Sequence, residues 1–220
     1  MTETVPRATV RESLATWRGS RHARIVGSFA SWFLFSLAFT LSYLIVTSIM
    51  AVGSPCAPVG PDDITTPCSD AVGRLTPFAV IIGIAAVAIA VWLAQGFGTP
   101  LVVWAWPIFF CGIGSLFILT VLATGEVFAF IIGLTLLIMG TVPLFMELRA
   151  GSQRAFLGAV NSQGEHFVER AQDRPSLLSN KSRARVRFVE PKPVDWVASF
   201  GILAISTGAG YVLARVLFFG

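Results

Sequence analysis

Charged residues are scarce in this sequence and are absent from long stretches of it. They make up 13% of the 220 residues, about half the share that a soluble domain carries. No charge occurs from Ile25 to Pro61 or from Leu75 to Gly125. A run of roughly 20 apolar residues is enough to cross a bilayer as a helix. This distribution excludes an ordinary soluble domain and predicts an integral membrane protein.

The apolar runs also lack the residues on which membrane catalysis and cofactor binding depend. His22 and His166 both lie outside the apolar runs, so neither can ligate a haem in the bilayer core. The runs contain no lysine and no cluster of carboxylates with histidine, and Arg215 is their one charged residue. Embedded ionisable groups normally mark transport or proton relays. We therefore expect no catalytic residue, no metal site and no cofactor, and a protein that is not an enzyme.

The apolar runs divide into five predicted spans. The run from Leu75 to Gly125 is too long for one helix, and QGFGTP at 95–100 provides the break. Thr76-Pro77 and Thr99-Pro100 are each typical of an N-cap followed by proline at the first helical position. The predicted spans cover about 25–52, from 77 to the break, from 100 onward, 127–146 and 196–219.

Basic residues lie mainly on one side of these spans. Positive charge favours the cytoplasmic side, and five tryptophans near the same ends fit an interfacial aromatic belt. We expect an all-α integral membrane protein, a five-helix transmembrane bundle with a cytoplasmic N-terminus and an extracytoplasmic C-terminus. The predicted segments are a basic N-terminal segment 1–24, spans one to four within 25–147, a basic cytoplasmic segment 148–193 and span five within 194–220.

Two of the three cysteines lie in the loop 53–75 between spans one and two. Cys56 and Cys68 would face the extracytoplasmic side, where disulfides persist. Closing this loop would stabilise the fold by about 3 kcal/mol in the chain-entropy model. A redox pair is the alternative, but neither cysteine belongs to a C-x-x-C motif. We expect a disulfide. The third, Cys111, lies within span three, where we expect it to pack as a small apolar residue.

Small residues recur at four-residue spacing on two spans, the pattern that lets membrane helices approach closely. Ala79 and Gly83 form such a pair on span two, and Ala204 and Gly208 form one on span five. We predict that both pairs pack against helices, either within the bundle or on another protein. Near the outer end of span five, Arg215 either extends to the interface or forms an ion pair with Glu126.

Span one has a polar stripe instead. Ser36, Thr40, Tyr43 and Thr47 recur at the spacing of one helical face. Such a stripe either lines a small hydrophilic path or forms hydrogen bonds between helices. We favour the hydrogen bonds.

The segment 148–193 has basic and apolar character. Residues 155–172 should extend helix four and then form a short amphipathic helix. Basic and apolar residues then alternate with period two, which predicts an extended strand or a segment on anionic lipid. Each basic residue near such a surface contributes about 1 kcal/mol. The predicted lipid-binding residues are Lys181, Arg183, Arg185 and Arg187. Nucleic acid is the alternative partner, which the short, tethered segment disfavours.

Together these features favour a non-enzymatic accessory, scaffold or assembly subunit of a larger bacterial membrane complex. Its expected partners are other membrane subunits and anionic lipids, and no nucleic acid. Arginine far outnumbers lysine, which fits a GC-rich bacterial source. We expect a multi-pass protein of the bacterial plasma membrane. The alternative is a small transporter or channel subunit with a path along the Ser/Thr/Tyr stripe of span one.

Overall fold

The fold is described here from a computed structural model, which covers residues 17, 19–52, 70–125, 127–150, 152–167 and 187–219. Within these ranges, five helices are long and apolar enough to cross a membrane, as predicted. The helices are α1 (Arg21–Val52), α2 (Asp70–Ile89, continued by a π-helical turn Ala90–Ala94), α3 (Leu101–Thr124), α4 (Val127–Ala150), the short α5 (Ser152–Leu157) and α6 (Pro193–Phe219).

Two predicted helix starts need correction. Helix α2 begins at Asp70, so Pro77 lies inside the helix and the predicted start at Thr76-Pro77 is wrong. A proline inside a helix removes one backbone hydrogen bond, and its ring crowds the carbonyl four residues earlier, here that of Gly73. Helix α3 does begin after Pro100, but Pro100 is itself the N-cap and Thr99 makes no capping bond.

The predicted break at 95–100 is confirmed. Gln95, Gly96 and Gly98 all have positive φ, at 48°, 80° and 78°. A glycine adopts this left-handed conformation without the steric penalty of a side chain. The chain therefore leaves α2 and enters α3 through a tight connection, which brings the C-terminal end of α2 beside the N-terminal end of α3.

Helix α1 lies at the centre of the bundle. Trp32 and Phe35 of α1 form one buried cluster with Ala86, Ala90 and Leu101. A second cluster joins α1 to α2 and α6 and consists of Leu37, Leu41, Ala79 and Ala214. Gly27 and Gly210 let the helix backbones approach closely, since an added Cβ would lie 2.6 Å from Ala94 N and 2.5 Å from Phe33 O respectively.

Helices α3 and α4 form an antiparallel hairpin held by glycine contacts. A Cβ at Gly114 would lie 3.0 Å from Gly133 O, and one at Gly140 would lie 2.5 Å from Cys111 Sγ. The expected packing role of Cys111 is therefore confirmed. The hairpin reaches α1 at Gly112, over which the Phe39 ring packs.

A small cap of extended chain covers the end of the bundle at which α2 meets α3. Strands β1 (His166–Phe167) and β2 (Phe188–Val189) pair in parallel, with His166 opposite Phe188. Phe97 pairs with Gly158 and Val160, so the 95–100 connection joins this cap. We call residues 95–100, 158–167 and 187–189 the β cap. The predicted extended chain near residue 188 is confirmed.

The amphipathic helix predicted within 155–172 is not formed in its described part. Helix α5 ends at Leu157, and Gly158 follows with φ at 77°. The backbone carbonyls of Gly96 and Gly98 lie so close to Gly158 that any side chain would collide with them. The next turn is closed by Asn161, whose Oδ1 accepts hydrogen bonds from the backbone N–H groups of Gln163 and Glu165.

Several predicted features lie outside the described residues. These are the Cys56–Cys68 disulfide, Glu126 and its pairing with Arg215, and the three basic residues Lys181, Arg183 and Arg185. Each of them stays a prediction from the sequence.

Candidate helix-docking site

A buried group of hydrogen bonds joins the helices beneath the β cap, and we call it the polar junction. The Trp32 indole N–H donates to the Thr99 carbonyl at 2.8 Å. The Ser199 hydroxyl donates to the Phe156 carbonyl at 2.8 Å, and the Thr99 hydroxyl lies 2.9 Å from that of Ser199. The Trp104 indole N–H donates to the Ala155 carbonyl at 2.6 Å. These bonds tie α1, α3, α5 and α6 together at one end.

Sequence reasoning did not identify this junction. The sequence pattern predicts a helix cap at Thr99 and places Trp32 and Trp104 among the five tryptophans of the interfacial belt. The feature of the sequence that could have pointed to it is a tryptophan within an apolar run, because a buried indole N–H needs a hydrogen-bond acceptor. The junction uses hydroxyl and carbonyl groups that satisfy one another, so its role is structural.

The polar stripe of α1 is largely used in packing. The Ser36 hydroxyl donates to the Thr207 carbonyl of α6 at 2.8 Å. Thr47 donates to the Tyr43 carbonyl of its own helix at 2.9 Å. Thr40 is buried, whereas Tyr43 is 40% exposed on the outside of the bundle. The stripe therefore does not present its four side chains to one shared path.

The small pair of α2 packs inside the bundle. Ala79 is buried against α1 and α6, in the second cluster. A Cβ on Gly83 would meet the Ala38 side chain of α1 at 3.7 Å, an ordinary van der Waals distance. The predicted helix packing at this pair is thus internal to the chain.

The small pair of α6 has a different environment. Ala204 and Gly208 are both exposed, and an added Cβ at Gly208 would have nothing within 4 Å among the described residues. The same is true of Gly201, one turn before Ala204. No helix of the described part of the chain packs against Gly208, and the predicted helix contact at Ala204 and Gly208 stays a prediction.

Helix α6 thus has two faces that differ in occupancy. Gly210 and Ala214 are buried against α1. At about 100° per residue, Ala204 and Gly208 lie roughly a third of a turn away. Tyr211 and Arg215 share their side of the helix. We call these four residues, Ala204, Gly208, Tyr211 and Arg215, the open face of α6.

The open face ends in a cationic group. The Arg215 guanidinium carbon lies 4.6 Å above the centre of the Phe219 ring, a cation–π distance. Tyr211 is 52% exposed, so its hydroxyl lies on the same open surface. The open face therefore has two small residues, Ala204 and Gly208, followed by two hydrogen-bond donors, Tyr211 and Arg215, near its C-terminal end.

Of the predicted lipid-binding residues, Arg187 lies within the described chain. Its side chain is 83% exposed and forms an ion pair with Glu165 at 3.3 Å. An exposed pair of this kind contributes little to stability. Arg187 lies at the β cap, where the Arg24 guanidinium of α1 also lies, beside Gly164.

No protein-family model, no curated protein sequence and no solved structure matches this chain.

Proposed function

We propose that this protein is a non-enzymatic accessory or scaffold subunit of a larger membrane complex, and that a helix of a partner subunit packs on the open face of α6. The β cap contains parts of the basic segment 148–193 and would lie on the cytoplasmic side, as would the arginine-rich N-terminal segment. The C-terminal end of α6, with Arg215, would then lie on the outer side.

One observation carries the proposal. Helix α6 repeats the same small-residue spacing on two faces, and α1 occupies only one of them. At Gly210, the α1 backbone is so close that a Cβ would lie 2.5 Å from Phe33 O, whereas at Gly208 the space is empty among the described residues. In lipid, helices associate mainly through close packing at small residues. An open face of this kind offers a second helix the approach that α1 has on the first.

The donors near the end of the face give the partner a further property. A guanidinium near the membrane interface is stabilised by a carboxylate, with which it forms short charge-assisted hydrogen bonds. We expect the partner helix to present small residues opposite Ala204 and Gly208, and a hydrogen-bond acceptor opposite Arg215. Glu126 of this chain is the competing acceptor, as the sequence predicts.

The transporter alternative has less support. It needs the hydroxyl groups of α1 to line one path, but Ser36 donates to α6 and Tyr43 faces the outside of the bundle. The hydrogen-bonding interpretation of the stripe accounts for these positions directly. If a path exists, Thr40→Val and Tyr43→Phe should abolish flux in vesicles while the bundle stays folded.

The test is the mass of the intact particle. The protein is extracted from its native membrane in a mild detergent and analysed by native mass spectrometry. We expect a stoichiometric complex for the unchanged protein. We expect Gly208→Leu and Ala204→Phe to release this chain from it, because each places a large side chain on the surface where the partner backbone must approach.

The control is Ala88→Phe, which adds the same bulk to an exposed small residue on α2. It should leave the complex intact. The proposal is overturned if the unchanged chain is recovered only as a monomer or homo-oligomer, or if Ala204→Phe and Ala88→Phe affect the complex equally.

A further inference from the structure

Arg24, near the start of α1, is a charged side chain without a partner. It is half-buried, and its Nε is fully buried with no hydrogen-bond acceptor. The guanidinium forms no hydrogen bond or ion pair with any residue in the described part of the chain. A buried donor without an acceptor destabilises a fold, and the cost is higher for a charged group. This position therefore favours an acceptor that the described residues do not supply.

The guanidinium of Arg24 packs face-on against Gly164 of the β cap. A Cβ added at Gly164 would lie 2.7 Å from Nη2, 2.8 Å from Cζ and 2.9 Å from Nη1 of Arg24. A point at nearly equal distances of this size from those three atoms lies above the guanidinium plane. Gly164 permits the contact because it has no side chain, and its φ of 86° also favours glycine. The contact fixes the plane and leaves its edge, along which the N–H donors point, for an acceptor.

The acidic residue of the β cap is bound elsewhere. Glu165 follows Gly164 in the chain. Its Oε2 accepts a hydrogen bond from Asn161 Nδ2 at 3.0 Å, and its Oε1 lies 3.3 Å from Arg187 Nη1. The first turn of α1 has no acidic side chain either. Because negative charge is stabilised at a helix N-terminus, an anion beside Arg24 would interact favourably with both the guanidinium and the start of α1.

The position of Arg24 along α1 indicates which anion is available. Arg24 directly precedes Ile25, at which the uncharged run begins, and α1 is long and apolar enough to cross a membrane. Basic side chains at the end of such a run lie at the interface with the head groups. The anion at that depth is the phosphate of a phospholipid, and basic pockets at helix ends bind such head groups. A planar guanidinium can bind two oxygens of one phosphate at once.

We propose that Arg24 is the central residue of a phosphate-binding site, in which the head group of an anionic phospholipid binds between the start of α1 and the 161–164 turn of the β cap. The inference rests on insertion of α1 in a bilayer, but not on the partner of the α6 face. It differs from the lipid contacts predicted for the basic segment 148–193, because those follow from charge alone and this site follows from the geometry of one fixed guanidinium.

A lipid titration of the purified full chain tests the proposal. The chain is extracted in detergent, freed of lipid and titrated with phosphatidylglycerol, and the bound lipids are counted by native mass spectrometry. We expect Arg24→Gln to lower the affinity of the tightest phosphatidylglycerol site about tenfold, which corresponds to about 1.4 kcal/mol.

The matched control is Arg154→Gln, which removes the same charge from an exposed residue of α5 at this end of the bundle. It should change the affinity by less than about twofold, because exposed charges contribute little. Equal losses in Arg24→Gln and Arg154→Gln overturn the site, since they would show that only the total charge attracts the lipid. Unchanged affinity in Arg24→Gln also overturns it.

Two further variants separate geometry from charge. Gly164→Ala keeps every charge, but its methyl group would displace the guanidinium, so we expect a loss close to that of Arg24→Gln. Arg24→Lys keeps the charge, leaves the β cap untouched and lacks the planar fork, so its affinity should be intermediate. It decides the question if Gly164→Ala does not fold. If Arg24→Lys binds phosphatidylglycerol as tightly as the unchanged protein, the geometry of the guanidinium is irrelevant and the site is overturned.

Inorganic phosphate identifies the source of the anion. We expect the lipid to bind more tightly, because its acyl chains add affinity. If inorganic phosphate alone binds as tightly as the lipid and Arg24→Gln abolishes this binding, the phosphate site stands and a free anion is its ligand. If Arg24→Gln instead releases a protein subunit from the particle extracted from the native membrane, the acceptor belongs to a partner and the phosphate site is overturned.

Discussion

Helices α1 and α4 look alike in sequence, since both are long and apolar, yet the fold uses them differently. In the most apolar window of α1, 50% of the residues are buried inside the bundle, against 11% for α4. Helix α1 contacts α2, α3 and α6 through both buried clusters. Helix α4 packs mainly against α3, at the glycine contacts.

The difference shows what apolar character can and cannot indicate in such a chain. In lipid an apolar side chain gains little by moving from lipid to protein, so hydropathy alone does not select the central helix. What distinguishes α1 is its content of small and hydroxyl residues on the sides that face its neighbours. Ser28 and Ser31 are almost fully buried, and Gly27 and Ala38 allow close approach of α2.

The largest effect on stability is expected where the central helix α1 packs against α6. Gly210→Leu would place a Cβ 2.5 Å from Phe33 O and 3.0 Å from Leu37 N, which are backbone atoms of α1. Overpacking usually costs about 1–3 kcal/mol, and backbone atoms yield less than side chains, so we expect a loss of more than about 3 kcal/mol. Thermal unfolding in detergent measures it.

Gly208→Leu is the control for that variant, because it makes the same change on the open face of the same helix. The midpoint temperature of its thermal unfolding should stay close to that of the unchanged protein. Equal destabilisation by the two variants would show that the two faces of α6 do not differ as described.

We expect a smaller loss of unfolding free energy when either of two tryptophans, one buried and one exposed, is replaced by phenylalanine. Trp32→Phe removes a buried indole N–H and leaves the Thr99 carbonyl without its donor. Losing one partner of a buried bond costs about 1–3 kcal/mol. Trp106→Phe removes an exposed bond of 3.0 Å to the Met139 carbonyl in the α3–α4 hairpin.

We expect the Trp106 variant to lose less than about 1 kcal/mol, because lost bonds of ordinary strength cost about 0.5–1.5 kcal/mol and this one is exposed. Chemical denaturation of the two variants side by side gives the comparison. A greater loss for Trp106→Phe would mean that the hairpin, and not the polar junction, limits stability.

The smallest effect concerns the hydrogen bond from α1 to α6. Ser36→Ala deletes the donor to the Thr207 carbonyl but keeps the small size on which the contact depends. Hydrogen bonds between membrane helices average about 0.6 kcal/mol, and we expect a loss of that size. Thermal unfolding measures it with Ser48→Ala on the same helix as the reference. A loss comparable with that of Gly210→Leu would assign the α1–α6 contact to polar bonding and not to close packing.

Much of the architecture follows from the sequence through local chemistry. Long uncharged runs predict the five helices, because each needs only enough apolar residues to cross a bilayer. Glycine and proline at 95–100 predict the connection, since they permit positive φ and end helices. The start of α2 could not be predicted in this way. Pro77 lies inside α2, although a threonine followed by proline usually begins a helix.

The candidate sites also have features that follow from the sequence and features that only the tertiary structure shows. The small pairs Ala79/Gly83 and Ala204/Gly208 are equivalent in sequence, and the same spacing predicts helix packing at both; the structure shows such packing at the first, and at the second it stays a prediction. Only the tertiary structure decides that the first faces Ala38 of α1 and the second faces outward. The polar junction likewise joins Trp32, Thr99 and Ser199, which are far apart in the chain.

The sequence by itself therefore determined the number of helices, the connection at 95–100 and the residues able to support close packing, since these depend on local composition and backbone freedom. The tertiary structure decided which small face is covered and which tryptophan is buried. Those outcomes depend on how the helices are rotated and tilted against one another. That rotation follows from the combined packing of all the helices and is not encoded in any one of them.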